Sequence, residues 1–241
     1  VLELYRGSLA KCWPPALLVS LLWTGLLARL LLALDPQDDL LQLALQLQAA
    51  LLAPAFQYSL LAVTALSILP YCAMVACVHA AATGGAVTGA GLPLALRVFP
   101  GAVVAAVLFL TLTSIGTLAF LIPGVYLWGM WQLWIVVIVI ERCGPLAALG
   151  RSWQLTRGSW WPAATLVTII TILSTVALLL LDMTIGWAIA LLGIGGNHAL
   201  IATLLALGVA VLLTLPLVPA ALVALYLTLG KARLAAAGRV G

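Results

Sequence analysis

The chain has 241 residues, of which 66% are hydrophobic and 7% charged. A soluble domain carries roughly 25% charged residues, so this composition cannot build a water-facing surface and the soluble classes of enzyme and binding module are excluded. The formal charge of +4 comes from ten Lys and Arg that form no run, which argues against nucleic acid as a partner.

A helix needs about 20 mainly apolar residues to cross a bilayer, and such stretches follow one another along the chain. The first span is predicted from Trp13 to Leu34, with Pro14 and Pro15 in its opening turn, where their missing N–H groups cost nothing. Asp35, Asp38 and Asp39 end it; an acidic run in place of a small-residue cleavage site marks a retained span and not a signal peptide. Leu40 to Leu52 reads as an amphipathic helix at the outer interface. The second span covers Pro54 to Ala81 with a kink expected at Pro70, and Thr83 to Pro93 is a flexible turn. Arg97 and Pro100 lead into a third span ending near Leu121, and Ile122-Pro123-Gly124 turns the chain back. The fourth span, Val125 to Ile140, carries Trp128, Trp131 and Trp134 and ends at Glu141 and Arg142.

The segment 143–159 is predicted as an interfacial helix. Leu146, Leu149, Trp153 and Thr156 share one face of it, while Arg151, Gln154 and Arg157 lie elsewhere. The fifth span runs from Pro162 to Leu181, a re-entrant or surface segment from Met183 to Asn197, and the sixth span from Ala199 to Leu229, with Lys231, Arg233 and Arg239 beyond it. The predicted fold is therefore all-α, a polytopic bundle of about six transmembrane helices with interfacial amphipathic helices, forming a single membrane domain over 1–241.

Sidedness follows from the cations, which favour the cytoplasmic loops. With the N-terminus inside, nine of the ten Lys and Arg fall on the inner side, and Arg29 can snorkel from near the outer end of its helix. Asp35, Asp38, Asp39 and Asp182 fall outside. The expected location is a bacterial inner membrane with both termini cytoplasmic.

The sequence also matches itself. LYRGS at Leu4 to Ser8 resembles LTRGS at Leu155 to Ser159, and each precedes a Trp-Pro pair and an apolar span ending in Asp35 or Asp182. Pro70 and Pro216 follow those aspartates by 35 and 34 residues, and Gly84 and Gly230 each lie fourteen residues further on. Units 1–84 and 155–230 therefore read as a parallel repeat of spans 1–2 and 5–6, around a central hairpin 92–142. Parallel repeats imply a pseudo-twofold axis along the membrane normal.

From Glu141 to Trp161 the pattern E-x-x-G-P-L-A-A-L-x-R-S-W-x-L-T-R-G-x-W-W resembles the hallmark segment of the glycerophosphodiester phosphodiesterase membrane-domain family and its bacterial inner-membrane relatives. Leu121 to Tyr126 is similar to that family too. The resemblance covers about Leu92 to Trp161 and implies a bundle of about six helices. In the family's named members catalysis belongs to a separate soluble barrel, and no segment here resembles one.

Few residues carry chemistry. Glu141, Arg151 and Arg157, with Trp153, Trp160 and Trp161, form a possible contact surface for anionic lipid headgroups or a partner, since Arg offers paired donors to phosphate; the alternative is an ion pair that fixes the helix in place. Trp128, Trp131 and Trp134 recur every three residues, as a strip for a lipid, ring-shaped cofactor or subunit, or as packing and interfacial anchors. His79 and His198 fall on opposite sides of the membrane and cannot share a site, and the four cysteines show no CxxC pair. Hydroxyl faces at Thr111, Ser114 and Thr117, and at Thr165, Thr168, Ser174 and Thr175, allow close helix approach. No carboxylate, lysine or arginine is expected at mid-depth, which disfavours ion-coupled transport. No catalytic set, metal site or cofactor is predicted. The expected partners are membrane lipids and other integral membrane proteins. The expected function is that of a non-catalytic structural, assembly or accessory subunit, with transport or lipid handling at the repeat interface as the alternative.

Overall fold

The computed structural model describes residues 2–32, 40–84, 91–193 and 196–237. Asp35, Asp38, Asp39, Arg239 and most of the predicted 83–93 turn lie outside the described residues, as do the side chains of Arg6, Lys11 and Arg233. Among the described residues the chain forms ten helices and no strand: α1 (Leu2–Leu31), α2 (Leu40–Leu52), α3 (Pro54–Thr83), α4 (Gly91–Ala119), α5 (Leu121–Trp131), α6 (Trp134–Glu141), α7 (Pro145–Thr156), α8 (Trp160–Leu191), α9 (Gly196–Thr214) and α10 (Leu217–Ala237). Six apolar stretches among them are long enough to span a bilayer, α5 with α6 and α9 with α10 each making one.

The spans match the predicted number, but their ends and continuity differ. Pro14 and Pro15 lie well inside α1, whose helix begins at Leu2. Gly91 to Pro93, read as part of a turn, opens α4. Phe120 alone breaks the chain between α4 and α5, and Ile122-Pro123-Gly124 forms the first turn of α5. The segment from Met183 does not leave the fifth span; α8 runs unbroken for 32 residues, about 48 Å at 1.5 Å per residue. The sixth span, expected as one helix, is interrupted at Leu215–Pro216. Pro70, which the predicted repeat pairs with Pro216, lies inside the uninterrupted α3, and both prolines are buried.

Burial concentrates at one end of the bundle. Cys12, Ala16 and Val19 of α1, the stretch of α3 around Met74 and Val78, Ala102 and Ala105 of α4, Trp134 to Val139 of α6, and Ala220, Leu222 and Val223 of α10 make one apolar core. The fourth span is its central post: 61% of its apolar window is buried, against 11–33% for the other five. Toward the other end Leu61, Leu118, Ile122, Leu179 and Leu205 stand exposed. In water such faces would be an aggregation hazard; in hydrocarbon they are the solvent-facing surface.

Candidate functional site

The fourth span breaks where an otherwise apolar run places Gln132, and the break is held from outside. Ordinary helical bonding lapses between Trp131 and Trp134, and backbone groups freed inside a membrane must find partners within the protein. Ser152 on α7 supplies two of them: its Oγ donates to the Met130 carbonyl at 3.0 Å and accepts from the Leu133 N–H at 3.2 Å. Thr156, one turn on, donates its single hydroxyl proton to the Met130 carbonyl or to that of Ser152, each at 2.8 Å. Ser152 and Thr156 are fully buried. Gln132 itself is only 7% exposed, and neither its carbonyl oxygen nor its amide nitrogen has a hydrogen-bond partner.

These bonds dock the segment predicted as an interfacial helix, 143–159, against the fourth span. α7 spans Pro145–Thr156 and folds back along the fourth span, bringing its last turn beside Met130. Its buried face is Ala148, Leu149, Ser152, Leu155 and Thr156, whereas Leu146 is 71% exposed. Arg157, which follows directly, is exposed.

At the far end of α6, Glu141 joins three elements. Its Oε1 accepts from Arg151 Nε at 3.2 Å and from the Tyr226 hydroxyl at 3.0 Å, tying α6 to α7 and α10. The pair is partly exposed, which limits its worth to about 0–1 kcal/mol. Arg142 closes α6 in the left-handed region, φ 52°, with its N–H on the Ile138 carbonyl. Burial, and then the Glu141 carboxylate, push the neighbouring Cys143 thiol above its ordinary range.

The tryptophan strip is divided by the break. Trp134 is buried and lies 6.2 Å from Phe109, Trp131 faces Trp153 at 6.2 Å, and Trp128 is exposed on the opposite course. A different aromatic cluster forms instead. Tyr126 meets Trp153 edge-on at 5.9 Å and Trp160 at 5.6 Å, Trp160 meets Trp161 at 4.8 Å, and the Trp160 indole N–H donates to the Tyr126 carbonyl at 3.2 Å. Trp160 can lie against α5 because residue 129 is glycine: a Cβ there would overlap the indole. Gly124 permits an equally close approach to Thr117 on α4.

Cavities open on the bundle among the described residues. One of about 540 Å³ lies between α4 and α5, lined by Thr113, Ser114, Thr117 and Trp128 among others. A second, about 290 Å³, lies between α5 and α8, with Trp128, Trp160, Trp161, Thr165 and Thr168 on its walls. The third, about 350 Å³ and apolar, sits against Pro14, Pro15 and Pro70 where α1, α3 and α4 meet. Among the described residues no three His, Cys, Asp or Glu side chains cluster as a metal site would require, and no two cysteines form a disulfide.

Of the predicted site residues, the structure gathers Glu141 with Arg151, and Trp131, Trp153, Trp160 and Trp161 around Tyr126; Trp128 shares a cavity wall with Trp160 and Trp161, and Trp134 lies apart against Phe109. Gln132, Ser152, Thr156, Tyr126 and Tyr226 were not singled out. A lone Gln inside an apolar span, and hydroxyls four residues apart on the next helix, were the available signals. Compared with protein-family models, curated proteins and solved structures, the chain finds no match.

Proposed function

We propose that this chain is a non-catalytic integral membrane protein of a bacterial inner membrane, serving as a structural, assembly or accessory subunit alongside other membrane proteins. The observation that carries this reading is where its polar groups go. Glu141, Arg151, Ser152, Thr156 and the Trp160 indole all bond within the chain, so they secure architecture, and the broad apolar faces of α4 and α8 are left to meet lipid and neighbouring spans. The likeness of Glu141 to Trp161 to the membrane domain of glycerophosphodiester phosphodiesterases points the same way, because there the chemistry resides in another domain. Crosslinking in native membranes followed by mild-detergent purification tests it: stoichiometric membrane partners are expected, and a clean monomer without crosslinks overturns it.

A transporter or lipid-handling role is the second reading. It is favoured by two interrupted spans, α5/α6 and α9/α10, since broken helices build midplane sites in transporters, and by the repeat that relates spans 1–2 to 5–6 in sequence. Uptake or lipid transfer by the purified protein in vesicles would establish it, and its absence with every solute and lipid class tried would remove it.

A further inference from the structure

The two cavities beside Trp128 share a wall. Val125 and Trp128 line both, so the pair wraps the outward face of α5, reaching α4 on one side and α8 on the other. Their volumes, about 540 and 290 Å³, are of the order found for small-molecule sites, which are mostly apolar with a few polar groups that fix orientation.

Of the five hydroxyls in these walls, Thr113 and Thr117 make the usual bond within their own helix and three do not. Thr113, Thr117, Ser174 and Thr175 each donate to the carbonyl four residues earlier on their own helix. Ser114, Thr165 and Thr168 make no hydrogen bond within the protein, and all three are cavity-lining. A hydroxyl in hydrocarbon without an acceptor carries a desolvation cost, and acyl chains offer no acceptor. The Trp160 N–H is already taken by Tyr126, so that indole is a wall, whereas Trp128 and the 74% exposed Trp161 present ring faces. No Lys, Arg, Asp or Glu lines either cavity.

We propose that this groove binds a membrane quinone. A neutral planar ring can stack on the indoles, its carbonyl oxygens can accept from Thr165 and Thr168 on the α8 side or from Ser114 on the α4 side, and its prenyl tail can leave through the open lipid side. A phospholipid headgroup would bring a phosphate charge into a lining with no cation to meet it. The proposal goes beyond the accessory role and does not depend on which partner is found.

The experiment uses the full chain in nanodiscs of phosphatidylcholine, titrated with decylubiquinone, with bound ligand read after separation from free. Saturable binding of one quinone per chain is expected. Trp128→Leu should weaken it about tenfold, the scale of one lost aromatic contact, and so should the triple variant Ser114→Ala, Thr165→Val, Thr168→Val. Trp23→Leu, on α1, should leave affinity unchanged. The triple variant alters only exposed positions and keeps the test decisive if Trp128→Leu fails to fold. Uptake that rises linearly without saturation, equal affinity in the triple variant and the wild type, or a tightly retained phospholipid that quinone cannot displace would each overturn the proposal.

Discussion

Gln132 concentrates the cost of the break in one side chain. A buried amide with no partner loses its water without compensation, a penalty of about 1–3 kcal/mol, and an apolar side chain of similar shape removes it. Gln132→Met should therefore raise the thermal midpoint in detergent; a fall would mean that the amide is satisfied in the membrane. Ser152→Ala acts in the opposite direction, because it strands both the Leu133 N–H and one bond to the Met130 carbonyl, and about 1–3 kcal/mol should be lost. Thr156→Val removes the other donor to that carbonyl. Since either hydroxyl alone still satisfies the shared acceptor and only their joint loss strands it, the double variant should cost more than the sum of the singles, a coupling that a double-mutant cycle reads directly. Cys143 offers a pH handle. Its thiol holds its proton more tightly in the folded chain than in the unfolded one, so it adds stability below the ordinary thiol range and loses it as pH rises through the raised folded value. Maleimide labelling of Cys143 should be slow at neutral pH, and faster in Glu141→Gln, where the neighbouring anion is gone.

At the scale of elements, what could be read from sequence was the apolar length of each span, and what could not was how a span meets its neighbours. Six stretches of adequate length follow from composition alone, because lipid demands them. The proline at position 14 misleads as a helix start because the twelve residues before it, 2–13, are also helical, and a proline inside a membrane helix is tolerated when neighbours re-satisfy the backbone. The break at Gln132 carries no Pro or Gly; it exists because Ser152 and Thr156, some twenty residues downstream, stand in for the lost helical bonds, and no local pattern encodes that meeting. The face assigned to α7 departs at one residue for a related reason: Leu149 and Thr156 are buried and Trp153 half-buried, but the helix turns so that its hydroxyls meet the break and Leu146 points outward. Two attachments thus hold α7, and they should differ in weight. The Glu141–Arg151 bridge is partly exposed, so Arg151→Ala should cost no more than about 1 kcal/mol. Ser152→Ala acts in a dry interior and should cost more; thermal melts of the two variants side by side check the order, and the reverse order would place the anchor of α7 at Glu141.

For the whole molecule, the packed core lies at the end where α3 gives way to α4, α6 to α7 and α10 finishes, and that same end carries Arg97, Glu141, Arg142, Arg151 and Lys231. Six crossings impose a parity on the chain: Gly84, Cys143 and Lys231 must share one face of the membrane, and Leu32, Phe120 and Leu192 the other. Cysteines introduced singly at Gly84, Lys231, Leu32, Phe120 and Leu192 in a chain whose own cysteines are replaced, with Cys143 kept in a sixth variant, should label in those two sets with an impermeant reagent. The split tests the fold, and the direction of the split tests the charge argument separately. Cations are retained on the cytoplasmic side, so Gly84, Cys143 and Lys231 should react only in inverted vesicles. A clean split with the opposite direction would leave the bundle intact and overturn the inside-positive assignment. A mixed split, with Phe120 on the Lys231 side, would mean that the α4/α5 hairpin does not cross, and the interrupted fourth span would have to be a re-entrant loop closed by α7.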